Sequence, residues 1–247
     1  MNMKKMTFIL PIKSLSVFIV LQSVFSGGIA AAAENKPLVP FLNLLLADKG
    51  NSTPGPLVGT VTSAGQVWMD RNLGASQVAV SSTDTAAYGD LYQWGRGADG
   101  HQLRTSPTTS TPSSTDVPGH GSFITTNTSP NDWRVPQNNS LWQGVTGTNN
   151  PCPAGFRLPT ETEVEIERAS WPTNNASGAF ESPLKLTVAG SRIPSGALYN
   201  GDISGYYWSS SIYGSNSRTL YFGDISDDAG IGDHYRIRGF SVRCIQD

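Results

Sequence analysis

The chain has 247 residues, with 17 Lys or Arg against 19 Asp or Glu and a formal net charge of −2. That balance leaves no electrostatic footprint for nucleic acid, and the length suffices to bury a sizeable core in one domain.

The N-terminus reads Met-Asn-Met-Lys-Lys, then an uncharged apolar stretch over residues 14–25, then a small-residue string over residues 27–33. These are the n-region, h-region and Ala-x-Ala site of a signal peptide, with cleavage expected after Ala33. An uncleaved anchor is the competing reading, because residues 14–33 are uncharged and could span a bilayer; Gln22, Ser23, Ser26 and the Gly27-Gly28 pair dilute that run. No cysteine directly follows the apolar stretch, at the cleavage region, which argues against a lipid anchor. Cleavage removes Lys4, Lys5 and Lys13 and no acid, leaving 214 residues with 14 basic and 19 acidic groups. The mature chain is expected to be secreted, periplasmic or displayed on the cell surface, with no membrane span. In an oxidising compartment the only two cysteines, Cys152 and Cys244, are expected to pair, the alternative being two buried free thiols. A bridge across 92 residues would contribute about 4 to 5 kcal/mol through loop entropy.

Residues 34–56 are punctuated by proline and hold one apolar run, residues 38–47, which Pro37 and Pro40 cut too short for a spanning helix. This reads as a linker with a sticky segment. Val58, Thr60 and Thr62, the Ser63-Ala64-Gly65 turn and residues 66–69 then predict a hairpin. Residues 82–94 hold the cap candidates Thr83, Asp84 and Thr85 ahead of several apolar residues, so a short helix is expected there, weakened by Gly89. Between Arg104 and Gly119 lie nine Ser/Thr and three Pro, the composition of a solvated insertion. Trp133 and Trp142 punctuate the polar stretch that follows, more as loop anchors than as ligand contacts.

Thr160 and Glu163 form a capping box, so a helix should begin at about Glu161 and run to Ser170, with Pro172 and Asn174-Asn175 as the stop. Beyond it the chain turns to strands. Leu184, Leu186 and Val188 alternate with Lys185 and Thr187; residues 206–211 and 219–222 are β-prone; residues 235–245 place Phe240, Val242 and Cys244 on one face and Ser241, Arg243 and Ile245 on the other. Gly239 is expected to mark a bulge. No internal repeat is present.

Candidate chemistry is sparse. Asp224, Asp227, Asp228 and Asp233 could supply oxygens to calcium, but their spacing misses the EF-hand pattern. His101, His120 and His234 are scattered with no His-x-x-x-His pair, against zinc. Arg157 and Arg243 are expected to brace a sheet through carboxylates, and Glu161, Glu163, Glu165 and Glu167 suit the first turns of a helix better than acid/base work. No Gly-x-Ser-x-Gly elbow or phosphate loop occurs.

Five blocks in order, Trp68-Met69-Asp70-Arg71-Asn72-Leu73, Tyr88-Gly89-Asp90-Leu91-Tyr92-Gln93-Trp94-Gly95-Arg96, Cys152-Pro153-Ala154-Gly155-Phe156-Arg157-Leu158-Pro159-Thr160, Tyr207-Trp208-Ser209-Ser210 and Ser241-Val242-Arg243-Cys244, give the chain its resemblance. Residues 57–247 resemble the Fibrobacter succinogenes major paralogous domain family and, in the Arg-Leu-Pro-Thr, Trp-Ser-Ser and Val-Arg-Cys pieces, the C-terminal domain of Legionella collagen-like proteins. The resemblance implies an exported α+β domain of C-type-lectin-like fold, with mixed, mainly antiparallel sheets, two short helices, long irregular loops, and Cys152 and Cys244 as its cysteines. It implies no catalytic residues. Val164 stands where such domains carry a tryptophan, and the Glu-Pro-Asn or Gln-Pro-Asp and Trp-Asn-Asp motifs of calcium-dependent sugar-binding lectins are missing.

The function expected is a non-catalytic binding or adhesion module that contacts an extracellular glycan or protein through residues 97–149 and 190–234, with Trp142, Tyr199, Tyr206 and Tyr213 as the stacking surface and no required cofactor. The alternatives are a structural component of surface assembly and a formylglycine-generating type of enzyme, which would need the two cysteines free and reactive.

Overall fold

The computed structural model describes residues 59–223 and 228–247. The expected signal peptide, the linker, and Asp224 and Asp227 lie outside the described residues. The class is α+β: short, mostly antiparallel strands with two helices. Among the described residues no helix is long and apolar enough to cross a membrane.

Strands β1 (Thr60–Ser63) and β2 (Gln66–Met69) form the expected hairpin, with Thr60 opposite Met69 and Ser63 opposite Gln66. The expected helix over residues 82–94 is a correction. It is a single 3-10 turn, Thr85–Ala87, capped by Asp84, whose carboxylate accepts the Ala86 N–H. Gly89 stops it with φ at 67°, where a Cβ would lie 2.5 Å from the Leu73 carbonyl oxygen. Close approach to the 72–75 turn therefore overrides helix propensity. Strand β3 (Tyr92–Gln93) follows directly.

The Ser/Thr-rich insertion is latched to the body through β4 (Thr108–Thr109), which pairs in parallel with β5 (Phe123–Ile124), and through a bridge between Ser113 and Arg134. After β6 (Phe156–Arg157) comes α1 (Glu161–Ala169). Its capping box is complete: Thr160 Oγ1 accepts the Glu163 N–H at 3.3 Å and Glu163 Oε2 accepts the Thr160 N–H at 2.7 Å. Glu163 also receives both terminal nitrogens of Arg157, at 2.9 and 2.8 Å, while Arg157 Nε reaches Asp247 at 2.7 Å. One arginine thus ties the helix start to β6 and to the last residue.

Asn175, expected as part of a stop, caps a second helix instead: its Oδ1 accepts the Gly178 N–H at the start of α2 (Ala176–Glu181). Residues 184–188 are the next correction. Leu184, Leu186 and Val188 are buried as their alternation required, but no strand pairs with them. Thr187 instead uses the Tyr207 hydroxyl, which accepts its N–H at 2.9 Å and donates to its carbonyl at 3.0 Å. A side chain does the work of a neighbouring strand.

The remaining strands are β7 (Ser191–Arg192), β8 (Leu198–Tyr199), β9 (Ser204–Tyr213), β10 (Asn216–Gly223), β11 (Gly230–Tyr235), β12 (Gly239–Phe240) and β13 (Ile245–Gln246). Sheet orders are β1-β2-β13-β6, β11-β10-β9 and β3-β12-β7-β8, with β4-β5 apart. Residues 235–245 are therefore three pieces in three sheets. Their facing was read correctly: Phe240, Val242 and Cys244 join one buried cluster with Trp94, Trp133, Trp142 and Trp208, while Ile245 joins the other with Trp68, Val164, Leu186 and Phe222. Gly239 is not a bulge. It pairs with Gln93 on one side and Arg192 on the other, and a Cβ there would meet Phe123 and the Arg192 side chain at 3.0 Å. The register shift lies in the β9–β10 ladder, between Ser217 and Thr219.

Strand β13 lies between β2 and β6, so the last strand is paired with the first hairpin of the described residues and with mid-chain. Cys244 and Cys152 immediately precede that closure and are bridged, with Cα atoms 5.9 Å apart and no free cysteine among the described residues.

Candidate functional site

Two tyrosines are brought together by strand register. In the β11-β10-β9 sheet, Asn216 on the central strand is opposite Tyr213 on one side and Tyr235 on the other. Residues in register share a face, so Tyr213, Asn216 and Tyr235 form a row whose outer Cα atoms are about 10 Å apart, two strand spacings. Tyr213 is 59% exposed and Tyr235 44%. The hairpin turn at Gly214-Ser215 brings the row to the end of the sheet, and Gln137 Nε2 holds the Ser215 carbonyl at 2.9 Å.

The polar groups beside the row are held by one another. Asn216 Nδ2 donates to Asp233 Oδ2 at 2.6 Å. The Arg218 guanidinium lies 5.0 Å from the centre of the Tyr213 ring and donates from Nε and Nη2 to Glu161 Oε1 at 2.9 and 2.7 Å. The Glu161 carboxylate, as the nearest acceptor, pushes the Arg218 pKa up, which keeps that cation paired.

A groove of about 540 Å³ lies between α1 and β11, lined by Glu161, Glu165, Ile166, Arg168, Ala229 and Ile231. Ile231, Asp233 and Tyr235 follow one another on a single face of β11 at the strand period of two. Arg168 Nε donates to Glu165 at 2.8 Å, holding the Glu165 carboxyl below its ordinary range and raising its own pKa. Arg218 beside the row and Arg168 in the groove thus each already have a glutamate, while Asp233 is exposed. Two smaller grooves flank the Ser/Thr insertion. One of about 370 Å³ is lined by Ser110, Thr125, Thr126, Asn127, Thr128, Pro194 and Ser195, and carries hydroxyl and amide groups without charge. An interior cavity beside Arg243, Trp68 and Tyr207, about 10 Å³, has room for at most one water.

The four aromatics singled out in the sequence do not converge. Trp142 is a correction: it is fully buried against Trp94, ring centres 5.7 Å apart, and its Nε1 donates to the Asn149 carbonyl. The polar loop around it must bury an anchor, so none of the ring is left for a ligand. Tyr206 is half-buried, stacked on Phe240 at 5.1 Å, and pairs with Tyr221 at the far end of β9 from Tyr213. Tyr199 is exposed on the edge strand β8 of another sheet. Tyr235, Asn216 and Arg218 were missed. Gly214-Ser215 between β-prone runs could have placed Tyr213 opposite Asn216, but the sequence between β10 and β11 carries no turn signal that announces the register of β11.

Of the candidate calcium ligands, Asp228 Oδ1 accepts the Gly223 N–H at 3.1 Å and Asp233 is engaged with Asn216. Gly230 to Asp233 alone spans about 10 Å of strand, so Asp228 and Asp233 do not ligate one ion. Among the described residues no three His, Cys, Asp or Glu side chains gather as a metal site. His101 is fully buried: Nδ1 meets Asp99 at 2.7 Å, Nε2 accepts the Gln93 N–H at 3.0 Å, and burial pushes its pKa down to about 4. His234 is likewise lowered to about 4, by burial against Tyr206 and Phe240. Arg157 has its carboxylates, but Arg243 is a correction: fully enclosed, it donates to Asn72 Oδ1 and to the Met69 and Leu184 carbonyls, and burial lowers its pKa to about 10. No protein-family model, curated protein or solved structure matches this chain.

Proposed function

We propose that this chain is an exported, non-catalytic binding module of the C-type-lectin-like kind suggested by its five sequence blocks, contacting an extracellular glycan or protein. The observation that carries this reading is the Tyr213–Asn216–Tyr235 row: exposed aromatic rings set at fixed spacing on a rigid sheet, with polar groups already oriented between them. Pre-ordered aromatics lose little conformational entropy on contact, which favours recognition. Both cysteines are engaged in the bridge, so chemistry requiring a reactive thiol pair would first have to open it. Alkylation of the unreduced protein is expected to label no thiol; two labelled thiols would revive an enzyme reading.

The direct test is binding of the folded protein to panels of extracellular polysaccharides and surface proteins. Saturable binding that falls in Tyr213→Ala and Tyr235→Ala, with melting temperatures unchanged, is the expected result. Blank panels would overturn it, whereas binding indifferent to both substitutions would place the contact away from this row. A second reading, surface assembly, draws on Leu198, Tyr199 and Ile203, each about half exposed beside the edge strand β8. Concentration-dependent oligomers in light scattering, abolished by Leu198→Glu, would favour that reading.

A further inference from the structure

We infer that the Tyr213–Asn216–Tyr235 row, continued by the groove between α1 and β11, is a site for a linear uncharged glycan. This rests on the binding reading above and names the ligand class for it.

Shape, charge and hydrogen-bonding chemistry converge on that class. The Cα atoms of the two tyrosines lie about 10 Å apart across the sheet, more than the length of one sugar ring, and the groove on the same face is open rather than a closed pocket. A chain of several sugars can lay C–H faces on both tyrosines and extend beside Ile166 and Ile231. The charges select against acidic sugars. Arg218 is bound twice to Glu161 and Arg168 to Glu165, so neither offers a free guanidinium to a carboxylate or sulfate, while Asp233 faces solvent. Uronate or sulfated chains would bring negative charge to an acid without gaining a cation. Neutral sugars instead supply hydroxyl donors to Asp233 and accept from Asn216, a pair already hydrogen-bonded to each other at 2.6 Å. An extended peptide would need the free edge of β11, which is six residues long and carries two glycines, a poor template for strand addition.

The experiment is calorimetric titration of the full mature chain with soluble cello-, manno- and xylo-oligosaccharides, with oligogalacturonates, and with a basic peptide of similar length. Expected is binding to at least one neutral series that strengthens with chain length. It should weaken at least tenfold in Tyr213→Ala and in Tyr235→Ala, and survive in Tyr213→Phe, which keeps the ring. Asp233→Asn should weaken neutral binding, since sugar hydroxyls lose a charged acceptor, and should relieve the exclusion of oligogalacturonate. Preference of the wild-type protein for oligogalacturonate or for the peptide, with tyrosine dependence intact, would overturn the neutral-glycan assignment while the binding reading stands. Neutral binding untouched by either alanine substitution overturns this site. Binding of none of these probes, nor of any in the broad panels, would remove both readings together.

Discussion

Tyr207→Phe removes one oxygen and keeps the ring, and it isolates the contact that replaces a strand at residues 184–188. The Tyr207 hydroxyl accepts the Thr187 N–H at 2.9 Å, donates to the Thr187 carbonyl at 3.0 Å and accepts from Asn72 Nδ2 at 3.1 Å. Tyr207, Thr187 and Asn72 are all at most 2% exposed, so no bulk water replaces the lost oxygen. Asn72 Nδ2 keeps the Tyr88 carbonyl and Thr187 Oγ1, whereas the Thr187 N–H and C=O lose their partner. The phenyl ring stays stacked on Phe222, centres 5.7 Å apart, so no cavity term enters. Two stranded backbone groups at about 1 to 3 kcal/mol each give a destabilisation of roughly 2 to 6 kcal/mol. For a domain of this size that lowers Tm by roughly 4 to 24 °C. Urea unfolding of the disulfide-intact protein should show a lower midpoint with unchanged m, and Tyr213→Phe, on the surface, should shift stability by less than about 0.5 kcal/mol. A loss below about 1 kcal/mol for Tyr207→Phe would refute the claim that this hydroxyl holds the segment.

Replacing both cysteines, Cys152→Ser with Cys244→Ala, removes a 92-residue loop constraint and should cost about 2 to 5 kcal/mol in urea. His101 is held neutral, its pKa lowered from 6.5 to about 4, so the folded state binds fewer protons than the unfolded one in between. Its contribution, on the order of 3 kcal/mol, is complete above pH 6.5 and declines as pH falls towards 4; His101→Gln should flatten that part of the stability profile measured by urea midpoints. Glu163→Ala strips the α1 cap and a bidentate partner of Arg157, at a cost of about 1 to 3 kcal/mol. Because the Arg157 hydrogen bonds lower the Glu163 pKa, that stabilisation is present above about pH 4.5 and lost as acidification passes the folded-state value, so wild type and Glu163→Ala should converge in strong acid.

What the sequence disclosed was mostly local chemistry. Thr160 and Glu163 announced α1 because both halves of the box lie within four residues, and the Ala64-Gly65 turn announced the first hairpin for the same reason. Alternation placed Phe240, Val242 and Cys244 in one cluster and Ile245 in the other, since burial follows the period of an extended chain whether or not a ladder forms. Partners distant in sequence were hidden. Nothing near Leu184 indicates that Thr187 will be met by Tyr207, and nothing near Gly89 indicates a crowding carbonyl at Leu73. Tyr213 could be chosen as an exposed aromatic from composition, but its companion Tyr235 depends on the pairing of β11 with β10. Trp142 failed as a contact because a tryptophan in a polar loop satisfies the hydrophobic effect first; its surroundings become visible only when Trp94 is known to lie beneath it.

A domain with so little ladder must satisfy its interior carbonyls in another way, and here the donors are side chains. Trp94, Trp133 and Trp208 donate Nε1 to the carbonyls of Ser209, Trp94 and Tyr92 at 2.7 to 2.9 Å. Arg104 spans the Gly89 and Ala189 carbonyls, Arg192 those of Gly196 and Ser106, Arg96 those of Ser122 and His120, and Arg243 those of Met69 and Leu184. Each guanidinium offers five donors in a planar fork, so one residue joins two loops at fixed angle, which a lysine cannot do. Burying such a cation costs free energy that neutral carbonyls only partly offset, and Arg104, Arg192 and Arg243 have no salt-bridge carboxylate among the described residues. The geometry gained is rigidity in irregular chain: loops tied at several points cannot rearrange singly. A surface carried on such loops and on the sheet they brace is ordered before any ligand arrives, and the entropy of ordering is then not charged against binding. This links the polar interior to the tyrosine row: interior arginines and tryptophans hold the frame within which Tyr213 and Tyr235 keep their spacing.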